Sequence, residues 1–171
     1  MDTNALRLSL ISATCFLMAA CSEVPDAPQP AGSSTIEVPI LGKKLVMAPD
    51  VVWHDENCAS RPLPYLRMER SEVTPPTVKR GNSIIYRFPY TACVPAQPGY
   101  ILGRFRTAIV SNGKELSSRA DETYPIDTGK WIVNTDIAVP ERVNPGLYGI
   151  EATLVAEGAM IQDRMNFIVE P

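Results

Sequence analysis

The chain has 171 residues, 45% hydrophobic and 20% charged, which is enough for one packed domain with a tail and too few for several. With 16 Lys and Arg against 19 Asp and Glu the net charge is −3, so there is neither the basic field that nucleic acid requires nor an acidic tail, and no nucleic-acid partner is expected. The 16 prolines leave no stretch in which an apolar 3.6-residue period survives three turns, which excludes a helical bundle.

In chain order, the first feature is an apolar run over 8–20, too short for a bilayer core that takes about 20 helical residues. It ends in Leu17-Met18-Ala19-Ala20-Cys21, and a short apolar run closing on small residues reads as a secretory leader. The small residues leading into a cysteine resemble the lipobox of bacterial lipoproteins, although Met18 stands where Leu, Ile or Val is usual. That resemblance implies cleavage before Cys21, lipidation of its thiol, and anchoring of the mature protein to a membrane. Ser22 follows the cysteine where an Asp would imply retention in the inner membrane, so the implied location is the outer membrane. The Pro/Ala/Ser-rich stretch 21–35 then reads as a tether.

Of the four cysteines, Cys15 leaves with the leader and Cys21 is taken by lipid. Cys58 and Cys93 remain, and in an oxidising compartment they are expected to form a disulfide. Neither has a Cys-x-x-Cys neighbour that would argue for metal or redox chemistry. The segment 36–64 reads as a β-rich extension, strand-like at 36–40 and 45–53, too small to be a domain alone.

Beyond it the pattern is alternation. Ile84, Tyr86, Phe88 and Tyr90 share a face against Arg87, and Gly103, Phe105, Thr107 and Ile109 share one against Arg104 and Arg106. Asn112-Gly113 is a hairpin signal. Trp131 to Val139, Tyr148 to Leu154 and Met165 to Val169 alternate likewise, with a further turn at Glu157-Gly158. Pro145-Gly146-Leu147-Tyr148-Gly149-Ile150-Glu151 and the approach from Pro75-Pro76 to Gly81-Asn82 resemble immunoglobulin-like or fibronectin III-like domains of bacterial surface proteins. The expected fold class is therefore all-β, an Ig-like antiparallel β-sandwich over 65–171 behind the leader (1–20), tether and extension. The resemblance makes Tyr148 a tyrosine corner, its hydroxyl bonded to backbone just upstream.

Three constellations carry potential chemistry. Asp127-Thr128-Gly129 matches the catalytic triplet of aspartic proteases, but Lys130 stands where a small residue is expected and the triplet is good turn chemistry. His54-Asp55-Glu56 holds the chain's sole histidine, which leaves no two-His metal site within one chain. Arg87, Arg104 and Arg106 suggest a basic stripe, yet the sandwich places Arg87 and the other two on opposite faces, with Asp136 and Glu151 as expected cross-strand partners. No acid, base and nucleophile assemble, so the expectation is a non-enzyme with no cofactor, metal or catalytic residue.

What remains is an envelope binding or assembly module, anchored to the membrane by lipid, whose partner is an envelope protein or glycan. The expected surface is a rim of loops at 55–63, 94–100 and 116–127, with Asp55, Glu56 and Arg61 as contact residues and Tyr65 and Tyr100 as aromatic area. The alternative is a phage- or prophage-type inhibitor or exclusion lipoprotein that blocks an envelope enzyme or receptor. Labelled palmitate should enter the full chain and not its Cys21→Ser variant; equal labelling of both would remove the anchor from this reading.

Overall fold

The computed structural model describes residues 34–38 and 42–171; the leader, Cys21 and the tether through residue 33 lie outside it. Two sheets face each other. One is ordered β1 (Gly42–Met47), β8 (Gly129–Ala138), β5 (Ser83–Cys93), β2 (Tyr65–Met68), with β3 (Glu72–Thr74) also on β5. The other is ordered β4 (Thr77–Lys79), β10 (Ala159–Glu170), β9 (Gly146–Ala156), β6 (Tyr100–Ser111), β7 (Lys114–Asp127). All pairings are antiparallel except β4 with β10. β3, β5 and β8 thus sit as strands A, B and E of an immunoglobulin domain, and β6, β9 and β10 as C, F and G. The fold is an Ig-like all-β sandwich.

The alternation read from the sequence is what fills the interior. Ile84, Tyr86, Phe88 and Tyr90 of β5 are fully buried, as are Ile109 of β6, Val133 and Ile137 of β8 and Ile150 and Leu154 of β9. Phe88 meets Phe105 edge to face across the two sheets, ring centroids 5.3 Å apart, in the T-shaped geometry that the ring quadrupoles favour. Asn112 and Gly113 both take positive φ (50° and 72°), as do Glu157 and Gly158 (44° and 87°), the backbone that tight hairpins need. Gly103 is required by packing: a Cβ there would lie 2.6 Å from the Val155 carbonyl oxygen. The Tyr148 hydroxyl donates to the Asn144 carbonyl at 2.7 Å, the contact of a tyrosine corner.

Three expectations change. The extension 36–64 is part of the sandwich, because β1 adds an edge strand beside β8 with Leu45 opposite Trp131 and Gly42 opposite Asn134. Its second strand-like stretch, 45–53, ends at Met47; Pro49–Asp55 is a helix, α1, which starts where proline's fixed φ and missing N–H cost nothing. The stretch 116–127, expected as a loop, is most of β7, an edge strand whose exposed positions are mostly polar and whose buried residues are Tyr124 and Ile126. Ile36 and Val38, ahead of β1, are buried in the same core.

The segment before Tyr65 is therefore expected to be indispensable. A chain beginning at Tyr65 should fail to give a cooperative thermal transition, and Ile36→Ala in the full chain should cost about 2–5 kcal/mol. Chains beginning at Ser34 and Tyr65 that melt alike in circular dichroism would show the segment to be an appendage.

Candidate functional site

One end of the sandwich collects α1, a 3₁₀ turn at Cys58–Ser60, the β5–β6 loop (94–99) and the β7–β8 turn. Its first constraint is covalent. Cys58 and Cys93 form the expected disulfide, with Cα atoms 5.7 Å apart, and tie the turn after α1 to the last residue of β5. A closed loop of this size stabilises the fold by about 3–4 kcal/mol in the chain-entropy account. The second constraint is polar: the Val94 N–H donates to the Thr128 hydroxyl at 3.0 Å, and the Trp131 indole N–H to the Asp127 carbonyl at 3.0 Å. Asp127-Thr128-Gly129 is thus the turn between two strands, with Gly129 at φ 146°, and Thr128 serves the neighbouring loop.

The third constraint is a chain of charges. Glu56, at the C-cap of α1, accepts a hydrogen bond from Arg67 of β2 and stands 3.7 Å from Arg61. Arg67 lies 3.8 Å from Glu69, which binds Lys130 at 2.6 Å and accepts from the Thr91 hydroxyl at 3.3 Å. Each half-exposed pair contributes at most about 1 kcal/mol, but together they fix α1 against β2, β5 and β8. A fourth contact spans the two sheets. The Lys43 ammonium of β1 sits 3.9 Å from the Trp131 ring centroid and 5.3 Å from that of Tyr124. It also donates to the Pro125 carbonyl at 2.8 Å and to Asp127 at 2.9 Å.

Against this frame the three expected contact residues separate. Asp55 is exposed, 3.5 Å from the still more exposed His54 ring. Glu56 is turned inward on its arginines, and Arg61 lies over the Tyr65 ring at 4.2 Å, so both hold the rim together and are poor candidates for capturing a partner. Tyr65 is covered in the same contact, whereas Tyr100 is open. The arginine stripe is paired out by acids other than the two expected: Arg87 with Glu72 at 3.6 Å, Arg104 with Glu122 at 2.8 Å, and Arg106 with Glu115. Glu151 takes Arg164 instead. These partners depend on strand register, which alternation leaves open.

Two features escaped sequence reasoning. A cleft of about 260 Å³ opens between α1 and the 94–99 loop, walled by Pro49, Trp53, Pro95, Ala96 and Gly99, with Thr128 at its base and Asp50 at its lip. Next to it, on the outer face of the β6 sheet, Tyr100, Leu102, Val155 and Met160 are 47%, 55%, 37% and 60% exposed. Val155 pairs with Met160 on one side and Arg104 on the other, and Leu102 pairs with Pro125, so these side chains cluster at the same end of one face. Exposed apolar side chains gathered on one face, here around the ion-paired Arg104, are a candidate interaction surface. Both features join residues remote in sequence, and no local pattern announces them. Among the described residues no three His, Cys, Asp or Glu side chains gather where they could hold a metal ion.

No family model matches the chain, and no curated protein matches it. Among solved structures it is similar to the alkylpurine DNA glycosylase AlkC of Pseudomonas fluorescens, at 14% identity and a TM-score of 0.47 over 62% of this chain and 30% of that one. It is similar also to the CARDB domain of a Pyrococcus furiosus protein in complex with di-metal ions, at 17% identity and a TM-score of 0.44 over 63% of this chain and 89% of that one. A family 123 glycoside hydrolase of Clostridium perfringens matches at 9% identity and a TM-score of 0.43, over 77% and 27% of the two chains. The chain spans less than a third of the glycosylase and of the hydrolase, and no activity is transferred from any of them.

Burial raises the pKa of three core tyrosines: Tyr124 is pushed up to about 12, and Tyr86 and Tyr90 rise further, Tyr90 with its hydroxyl 3.3 Å from that of Tyr124. The folded state therefore holds these protons more tightly than the unfolded chain, whose tyrosines titrate near 10. Their contribution is intact below pH 10 and is lost as pH rises through the folded values. The melting temperature should fall steeply from pH 10 towards 12, and less steeply in Tyr90→Phe; an identical slope in that variant would contradict this origin.

Proposed function

We propose that this protein is a membrane-anchored, non-enzymatic binding module that holds a protein partner through the α1 end of its sandwich. The observation that carries the reading is the apolar cleft walled by Trp53, Pro49 and Pro95, at the same end of the sandwich as exposed Tyr100, Leu102, Val155 and Met160, on a backbone fixed by the disulfide. Interfaces draw most of their energy from a few aromatic or aliphatic anchors in preformed pockets. A rigid pocket spares the ordering cost that a mobile loop would incur on binding. The cleft is the size of one or two apolar side chains, which favours a partner protein offering such a residue over a glycan. Asp50, Asp55 and Glu157 are acidic residues near this end, and a basic residue flanking the partner's anchor would suit them.

The assignment of this role to an envelope lipoprotein rests on the Leu-Met-Ala-Ala-Cys leader and the tether. The Ig-like frame serves as scaffold, with function in the end surface it presents.

A photo-cross-linking amino acid in place of Ala96 or Met160, in cells, should give a discrete adduct with one protein. At Asn112, on the opposite end, it should give none. Trp53→Ala should weaken capture by about thirtyfold, the ~2 kcal/mol of a hot-spot residue. Adducts at Asn112 alone, or capture unaffected by Trp53→Ala, would move the binding surface elsewhere.

A further inference from the structure

The path by which the chain enters the sandwich sets the cleft at the end opposite its point of entry. The Ile36 carbonyl accepts from the Ser117 hydroxyl, Val38 lies with Asp121 and Tyr124 around one cavity, and Lys43 reaches Pro125 and Asp127. With rising residue number the entering segment therefore runs alongside β7 in the same direction, from the Asn112-Gly113 hairpin towards the β7–β8 turn. Ile36 thus lies towards the hairpin end, and the cleft beside Thr128 is at the other. From Ser117 to Asp127 β7 rises about 33 Å, at roughly 3.3 Å per residue.

From this, and resting on the anchor at Cys21 proposed above, we infer that the end carrying the cleft is the membrane-distal end of the anchored molecule. Its partner is then a protein presented from beyond the anchoring leaflet, and the leaflet's own headgroups are not the ligand. A chain from Cys21 to Ser34 spans at most about 47 Å. The hairpin end is bound to stay within that reach of the bilayer, while the cleft stands off by up to the length of the sandwich more. To bring the cleft to the bilayer, the whole domain would have to invert and run its tether back along its full length. Ile36, fully buried, and the disulfide after α1 hold the entering segment in place, so the exit point does not migrate along the domain.

The test uses the lipidated full chain in vesicles that carry a headgroup-linked acceptor dye. A donor is placed on a cysteine introduced as Asn112→Cys or Ala96→Cys; with Cys21 acylated and Cys58 bridged to Cys93, the new thiol is the one that reacts. Energy transfer should be about threefold or more stronger from residue 112 than from residue 96, as a height difference of about 30 Å requires. Equal or stronger transfer from residue 96, in protein that floats with the vesicles, would overturn the orientation and leave the anchor standing. Protein that does not float with the vesicles would overturn the anchor reading, and the inference with it.

Discussion

The whole arrangement depends on one bare edge. β7 passes directly into β8 through Thr128, so the chain spends no residues on the strand that would flank β8 in its sheet. Left alone, β8 would offer unpaired N–H and C=O groups and expose the flank of Val133 and Trp131, the situation that invites edge-to-edge aggregation. The N-terminal segment resolves this. β1 pairs with β8 from Asn134 to Lys130, Ile36 and Val38 enter the core, and Lys43 reaches across to the β7 edge. An isolated six-residue strand contributes little by itself. Its residence on β8 relies on the buried aliphatics before it and on the covalent bridge after it.

Closing that edge also builds the end surface. Once β1 stops at Met47 the chain must turn back across the top of the sheet, and Pro49 starts the short helix that makes the turn. Val52 is the only buried residue of this helix, too little to hold seven residues in place. The Cys58–Cys93 bond and the Glu56–Arg67–Glu69–Lys130 chain supply the rest. The cleft against the 94–99 loop is a consequence of this packing: two prolines and an alanine leave the Trp53 ring uncovered on one side. Structural and functional demands meet at the same residues, which is why reversing Glu56 or Arg61 would loosen the end surface before it altered any partner contact.

The sequence was legible where burial is one-sided and local. β5, β6, β8, β9 and β10 each alternate, because one face of each meets the core and the other meets solvent, and both tight hairpins were marked by a glycine, preceded in one by Asn112 and in the other by Glu157. The Tyr148 contact and the disulfide followed from a motif and from cysteine count. β7 was not legible, since from Lys114 to Thr123 no side chain is buried and Ser117-Ser118-Arg119 reads as loop composition. α1 is shorter than two helical turns, below the length at which a period can be counted. The cleft and the ion-pair partners require register and the meeting of distant loops, information that a linear pattern does not contain.

Amide hydrogen exchange, followed by mass spectrometry before and after reduction of Cys58–Cys93, tests most directly whether this end is a fixed surface built on a closed sandwich. Reduction should release protection over 48–64 and 94–100 while β5, β6 and β9 keep theirs. Unchanged protection at the end would show that the bridge does not hold it, and simultaneous loss across both sheets would show that the end and the sandwich are not separate cooperative units.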